Sequence, residues 1–180
     1  MMAMPIVDLL ARGRELAARG ERVSVLWQEG ESLAFVARGR EYRSEFHVNP
    51  SDEVMLMIKG DMRLHFRTPD GKEDIAVVPE GSTIYTPAGT PHSPRFPPDA
   101  YLLVIERRRR PGEVDAFRWF CPNCDALLHE ETAEVRDYRA DPVSKAYARF
   151  FGSEEFRTCK TCGHVMPQPA GSPASQALGP

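Results

Sequence analysis

The sequence has no apolar run approaching the roughly 18 residues of a transmembrane helix, so no helical membrane span is expected. It also has no surplus of positive charge. Against 26 Asp and Glu stand 23 Lys and Arg, a formal net charge of −3 with a pI near 6.0, and that argues against a nucleic-acid partner. The opening stretch MMAMPIVDLLARGRELAARGER carries Asp8 and Glu15 among its arginines. It lacks the apolar core of a secretory signal, and the expected compartment is cytoplasmic. No internal repeat is visible. Cysteine is scarce, at four in 180 residues. A chain of this length buries about two-thirds of its unfolded surface, so one core-bearing domain needs no covalent staple.

Three regions differ in pattern. Residues 5–19 place Ile6, Leu9, Leu10, Leu16 and Ala17 near helical spacing, and Gly20 stops the run. Residues 22–108 change to about nine short strand-like runs: VSVLW, LAFVA, YRSEFHV, VMLMI, MRLHF, DIAVV, STIY, SPRF and YLLVIE. Turn signals such as Glu29-Gly30, Asn49-Pro50, Asp70-Gly71 and Glu80-Gly81 separate them. Short strands with frequent turns predict a β-barrel or jelly roll rather than alternating βα units. Residues 111–165 hold all the cysteines and one expected helix, 141–151. The tail, 166–180, is rich in Pro, Ser, Gly and Ala without periodicity, and its composition predicts disorder. The expected architecture is a single mainly-β domain over 1–165, with a short N-terminal helix and a small four-cysteine extension.

The cysteines form two CxxC knuckles, Cys121-Pro-Asn-Cys124 and Cys159-Lys-Thr-Cys162. Two such knuckles supply four thiolates to one tetrahedral ion, zinc or iron, with no open position, which makes the site structural. The alternative is two disulfides, which a reducing compartment disfavours. His129 and His164 lie near the knuckles and read as surface residues, because the four thiolates already fill the shell.

A second constellation lies inside the strand-rich region: His47, Glu53 and His92. Two imidazoles and one carboxylate match the facial triad of a non-haem Fe(II) oxygenase, which leaves positions open for substrate and dioxygen. The alternative is three unrelated polar residues, with Glu53 on a solvated turn. Arg43, Glu45 and His47 fall at i, i+2 and i+4, which one strand would point to a single face. Leu102, Val104 and Glu106 do the same, and a buried Glu106 needs a partner. Arg43 is the expected one, unless Arg43 makes only a surface ion pair with Glu45.

The spacing of these residues resembles the cupin superfamily. Gly81-STIYT-Pro87-Ala-Gly89-Thr-Pro-His92 fits its second motif, and His47-Val-Asn49-PSD-Glu53-VMLMIK-Gly60 fits its first, with Asn49 where a second His is usual. Together with the knuckles, the chain resembles the bacterial-type 3-hydroxyanthranilate 3,4-dioxygenase family. The block Val104-Ile-Glu106-Arg-x-Arg109, followed by Asp115-x-Phe117-x-Trp119-x-Cys121, carries much of that likeness. The resemblance implies catalytic Fe(II) on His47, Glu53 and His92, with dioxygen as co-substrate. It implies a second iron or zinc on Cys121, Cys124, Cys159 and Cys162. Arg43 and Glu106 would line the pocket of a small aromatic substrate, and the molecule would be a homodimer.

Two positions depart from that family. Phe96 stands where it places a second pocket arginine, and Arg95 comes one residue early, where a strand would turn it outward. Val23 stands where an asparagine is usual. Both changes make the pocket less polar and admit a relative of 3-hydroxyanthranilate, such as 4-amino-3-hydroxybenzoate. Two other functions fit parts of the sequence: a zinc-ribbon binding module on a cupin scaffold, suggested by the Arg107–Arg110 run, and a cupin isomerase. That run otherwise reads as a solvated strand edge.

Overall fold

The computed structural model describes residues 4–40, 42–140 and 142–169. The first helix, α1 (Leu9–Arg19), begins later than its apolar spacing predicts, because Asp8 caps it by accepting from the Ala11 amide at 2.9 Å. Gly20, at φ 69°, closes it. Leu16 is buried, whereas Ile6 lies wholly in solvent and Leu10 is exposed.

Nine antiparallel strands follow: β1 (Val23–Glu29), β2 (Ser32–Arg38), β3 (Phe46–Val48), β4 (Glu53–Lys59), β5 (Met62–Arg67), β6 (Glu73–Val78), β7 (Thr83–Thr86), β8 (His92–Arg95) and β9 (Tyr101–Arg107). The expected strand over 42–48 forms only at its last three residues. Two further strands, β10 (Asp115–Phe120) and β11 (Leu127–Ala133), lie in the cysteine region, where only a helix was expected. That helix is present as α2 (Pro142–Gly152), with the short α3 (Glu154–Arg157) after it; residue 141 lies outside the described residues.

The strands make two sheets, in the orders β1-β2-β9-β4-β7 and β11-β10-β3-β8-β5-β6. The protein is thus mainly β, built as a two-sheet barrel. Its interior is packed by the inward positions of both sheets, among them Phe35, Met55, Met57, Met62, Leu64 and Leu102. The alternation in MRLHFR places Met62 and Leu64 in this core. On the outer face of the first sheet, α1 sets Leu16 against Val36 and Tyr101. A Cβ on Gly13 would lie 2.4 Å from the Tyr101 ring, so only glycine lets the helix approach this closely.

The cysteine region is built onto the second sheet through β10, which pairs with β3 in the register Phe117↔His47. Its own core gathers Phe117, Trp119, Val143, Phe150, Phe151 and Met166. Trp119 stacks on Phe150 at 4.3 Å between ring centroids. The expected disordered tail begins too early at 166: Met166 is buried, and the Gln168 side chain donates to the Phe151 carbonyl at 2.7 Å. The rest of that segment, 170–180, lies outside the described residues. No helix among the described residues is long and apolar enough to cross a membrane.

Candidate active site

His47 and His92 sit opposite each other on the neighbouring strands β3 and β8. Glu53 opens β4 in the facing sheet, directly across from Glu106 on β9. One ligand atom from each of His47, Glu53 and His92 lies within 4.8 Å of the others, and all three residues are buried. His92 Nε2 meets Glu53 Oε2 at 2.7 Å, while its Nδ1 lies 2.8 Å from the Thr90 carbonyl. His47 points Nε2 at Asp115 Oδ2, 2.7 Å away, which leaves Nδ1 toward Glu53 at 4.0 Å. Phe117 stacks on the His47 ring at 5.2 Å. Two imidazoles with their far nitrogens engaged, converging on a buried carboxylate, are a donor set that fits a divalent first-row metal.

Burial alone would raise the Glu53 carboxyl. The charge and hydrogen bond of His92, with His47 and Asn49, turn the balance and hold it well below the usual carboxylate range. Glu106 goes the other way: burial, and then the Glu53 charge, push it up to about 8 against the pull of Arg109. Asn49 joins the two, donating through Nδ2 to Glu53 Oε1 and, at 2.6 Å, to Glu106 Oε2. Asn49, which stands where the sequence resemblance expects a second histidine, thus bridges the two carboxylates.

Glu106 does not pair with Arg43 as expected. Its cation is Arg109, whose Nη1 donates to Glu106 Oε2 at 2.8 Å and whose Nε and Nη2 hold both oxygens of Asp115. The Arg109 side chain is only 5% exposed, so the arginine run is not uniformly a solvated edge. Its neighbour Arg107 is outward and pairs with Glu113 at 2.7 Å. Asp115 is fully buried, and despite that burial Arg109 and His47 hold it below its ordinary value.

A cavity of about 670 Å³ opens over the triad. Arg43 lines it, and its Nε also meets Glu45 Oε1 at 2.8 Å, so the expected ion pair exists but is buried against the cavity rather than on the surface. Tyr147 donates its hydroxyl to the other Glu45 oxygen. Val23, Phe96 and Arg95 also line the cavity. Arg95 leaves β8 on the face opposite His92, with Ser93, and its guanidinium lies 5.6 Å over the Phe46 ring. It still reaches the cavity rim, so the outward expectation for Arg95 holds for its strand face and not for its side-chain end. Tyr138, stacked on Phe35 at 4.3 Å, closes part of the wall from the cysteine region.

The four cysteines converge elsewhere, all as free thiols, with their sulfur atoms within 4.8 Å of one another. Cys121 and Cys159 are buried, and Cys124 and Cys162 are exposed. The two knuckles repeat one backbone pattern. The Asp125 amide donates to the Cys121 carbonyl and the Gly163 amide to the Cys159 carbonyl, each at 2.9 Å. Gly163 takes φ 75° and Asp125 takes φ 62°, the one described non-glycine residue in that region. Arg67, buried against Phe46 and Phe120, holds Asp125 at 2.8 Å. This set fits a four-thiolate ion. His129 is not a simple surface residue, for its ring stacks on Phe156 at 3.9 Å; His164 is half-buried beside Cys159.

Spacing located the triad and the knuckles, but not the roles of Asn49, Arg109 and Asp115. Asp115 was visible in principle, because it stands at i−2 from Phe117 on a strand facing His47. Nothing in a row of four arginines distinguishes Arg109.

A mainly-β two-sheet barrel with a buried 2-His-1-Glu cluster beneath an arginine-lined cavity fits the class of metal-dependent enzymes. Within it the chain belongs to the 3-hydroxyanthranilic acid dioxygenase family, whose model matches residues 18–151. A 3-hydroxyanthranilate 3,4-dioxygenase of Bacillus thuringiensis is 35% identical over 171 residues, 95% of each chain. One of Paraburkholderia phytofirmans is 33% identical over 143 residues, 79% of this chain and 81% of that one. Among solved structures, BH2720 from Bacillus halodurans matches at a TM-score of 0.48 and 16% identity, over 60% of this chain and 83% of that one.

Proposed function

We propose that the protein is an iron-dependent ring-cleaving dioxygenase acting on 3-hydroxyanthranilate or a close carboxylated o-aminophenol such as 4-amino-3-hydroxybenzoate. The observation that carries this reading is the buried His47–Glu53–His92 cluster at the floor of a cavity bearing Arg43 and Arg95. His47, Glu53 and His92 would hold Fe(II), which when bound supplies the redox chemistry that joins dioxygen to the ring.

The chain's own residues orient and control charge. Arg43, already aligned by Glu45, meets the substrate carboxylate as a charge-assisted donor. Glu106 keeps Oε1 buried and without a partner. Glu106 does not line the cavity as expected; it stands one layer behind, directly across from Glu53, which does, and a carboxyl near 8 in that place suits proton exchange with the site at neutral pH. Phe96, Val23, Leu102 and Val104 give the cavity an apolar wall for the ring. Both oxygen atoms end in the product, a muconate semialdehyde. Cys121, Cys124, Cys159 and Cys162 would hold iron or zinc in a structural role. Four unpaired thiols suit a cytoplasmic setting, and the uncovered row Val54, Tyr85 and Ile105 on the first sheet suits a homodimer.

Oxygen uptake by the iron-loaded protein with 3-hydroxyanthranilate, 4-amino-3-hydroxybenzoate and plain 2-aminophenol tests the activity. Consumption with a carboxylated aminophenol, together with loss of its absorbance, is the expected result. No uptake with any of the three would reject the reading in favour of a binding module or an isomerase.

A further inference from the structure

We propose that Arg109 is a positioning residue for ring cleavage, fixing at once the metal-facing edge of His47 and the buried carboxyl of Glu106 that stands across from Glu53. The proposal rests on the dioxygenase reading above and assigns a device that neither the family likeness nor the triad itself supplies.

The geometry is a continuous hydrogen-bonded chain that runs from His47 round to Glu53, whose facing atoms stand 4.0 Å apart. Arg109 binds Asp115 through two nitrogens, Nε to Oδ1 at 2.5 Å and Nη2 to Oδ2 at 2.7 Å. Asp115 Oδ2 also meets His47 Nε2 at 2.7 Å. An acceptor held this way keeps the proton on Nε2 and turns Nδ1 toward Glu53. On its other side, Arg109 Nη1 joins Asn49 Nδ2 on Glu106 Oε2. With Oε2 occupied twice, Oε1 is the oxygen left unpaired. Asn49 then carries the chain of bonds to Glu53.

Only a planar fork bridges two carboxylates in this manner. A lysine ammonium supplies the charge but not the paired, coplanar donors. One side chain therefore links His47 to the carboxyl behind Glu53, and a change at Arg109 is felt at both edges of the site. Arg107, two residues away and pointing out to Glu113, provides the control.

The test uses the full chain with Arg109→Lys, Asp115→Asn, the double variant and Arg107→Gln. Two readouts distinguish positioning from bulk stability: the visible absorption bands of the cobalt-loaded protein, and the separate values of kcat and KM. Asp115→Asn and Arg109→Lys should each weaken iron retention about ten- to a hundredfold and shift the cobalt bands. Arg109→Lys should in addition raise KM for 3-hydroxyanthranilate. The double variant should be no worse in iron retention than the poorer single one, because both break one chain of bonds. Arg107→Gln should match wild type.

The proposal is overturned if Arg109→Lys keeps wild-type cobalt bands and KM, even with a lowered melting temperature, or if the two losses multiply in the double variant. Should Arg109→Lys fail to fold, Asp115→Asn decides the matter on the same bands. Cobalt and iron binding are read without turnover, so an inactive wild type would reject the dioxygenase reading while leaving the role of Arg109 to be judged by the metal.

Discussion

At the level of single residues, the site is defined by where charge is allowed to rest. Glu53 is held ionised between two imidazoles, so on the proposed reading removing it would take away both a ligand and the anion that balances a divalent metal. Glu53→Ala should lose iron retention and turnover together; metal analysis after desalting and an oxygen-uptake assay check this, and a variant that keeps both would undo the triad assignment. On the proposed reading, Arg95 and Phe96, which both line the cavity, would divide the carboxylate specificity between them. A charge-assisted hydrogen bond contributes roughly 1.5–3 kcal/mol, or about ten- to a hundredfold in affinity. Arg95→Ala should therefore raise KM for carboxylated aminophenols by about that factor and leave 2-aminophenol unchanged. Phe96→Arg should raise kcat/KM for the carboxylated substrates, and no gain over a wild type already efficient on 3-hydroxyanthranilate would show that Arg43 suffices.

Tyr147 offers a pH signature. Burial, and then the Glu45 charge, raise its phenol above the ordinary value of 10.0. The folded state thus binds this proton more tightly than the unfolded chain. Its stability contribution is complete below pH 10 and declines as pH rises toward the folded value. Tyr147→Phe should flatten the alkaline loss of stability while lowering stability at neutral pH by about 1.5–3 kcal/mol through the lost bond to Glu45. Denaturant titrations at several alkaline pH values measure both effects.

Among the secondary-structure elements, β10 matters most. Its inward residues Asp115, Phe117 and Trp119 are buried, and Trp119 stacks on Phe150 of α2. Phe150→Ala should cost about 3–5 kcal/mol, read as a lower denaturant midpoint. Beyond its end, Cys121 begins the first knuckle, where a metal held on the proposed thiolates would be coupled to local folding. Cys124→Ser should lower the melting temperature, and a strong chelator should lower that of the wild type but have little further effect on the variant.

The strands of the barrel were legible because polar and apolar residues alternate between clear turns, as in MRLHFR. β10 was not, because DAFRWF is buried by β3 and by α2 together and reads as a mixed apolar run. β11, LLHEETA, carries too many charges to look like a strand; it is ordered by pairing with β10 and by His129 stacking on Phe156. Ligand spacing revealed the triad and the knuckles, since metal geometry constrains type and separation together. The hydrogen-bonded path through Arg109 was hidden, because its contacts join residues far apart in the chain.

For the molecule as a whole, a net charge of −3 coexists with a cavity lined by Arg22, Arg38, Arg40, Arg43, Arg95 and Arg139. A basic recess in an acidic protein concentrates field at its mouth and steers anions inward. The kcat/KM for a carboxylated aminophenol should fall as ionic strength rises, while that for 2-aminophenol should hold steady. The apolar row Val54, Tyr85 and Ile105 lies beside the part of the sheet that α1 covers. Sedimentation of wild type and Tyr85→Glu should show a dimer shifting toward monomer.

The placement of β10 also gives the protein a timetable. Phe117 and Asp115 cover and fasten His47 from 68 residues further along the chain, which is roughly 3–14 s of synthesis at about 5–20 residues per second. His92 is made late in that interval, so a nascent barrel holds both imidazoles with His47 still unfastened only near its end. On the proposed metal reading, the choice of ion would then be settled by the late-made segment, and a product cut short before residue 115 would carry His47, Glu53 and His92 without the carboxylate that orients His47.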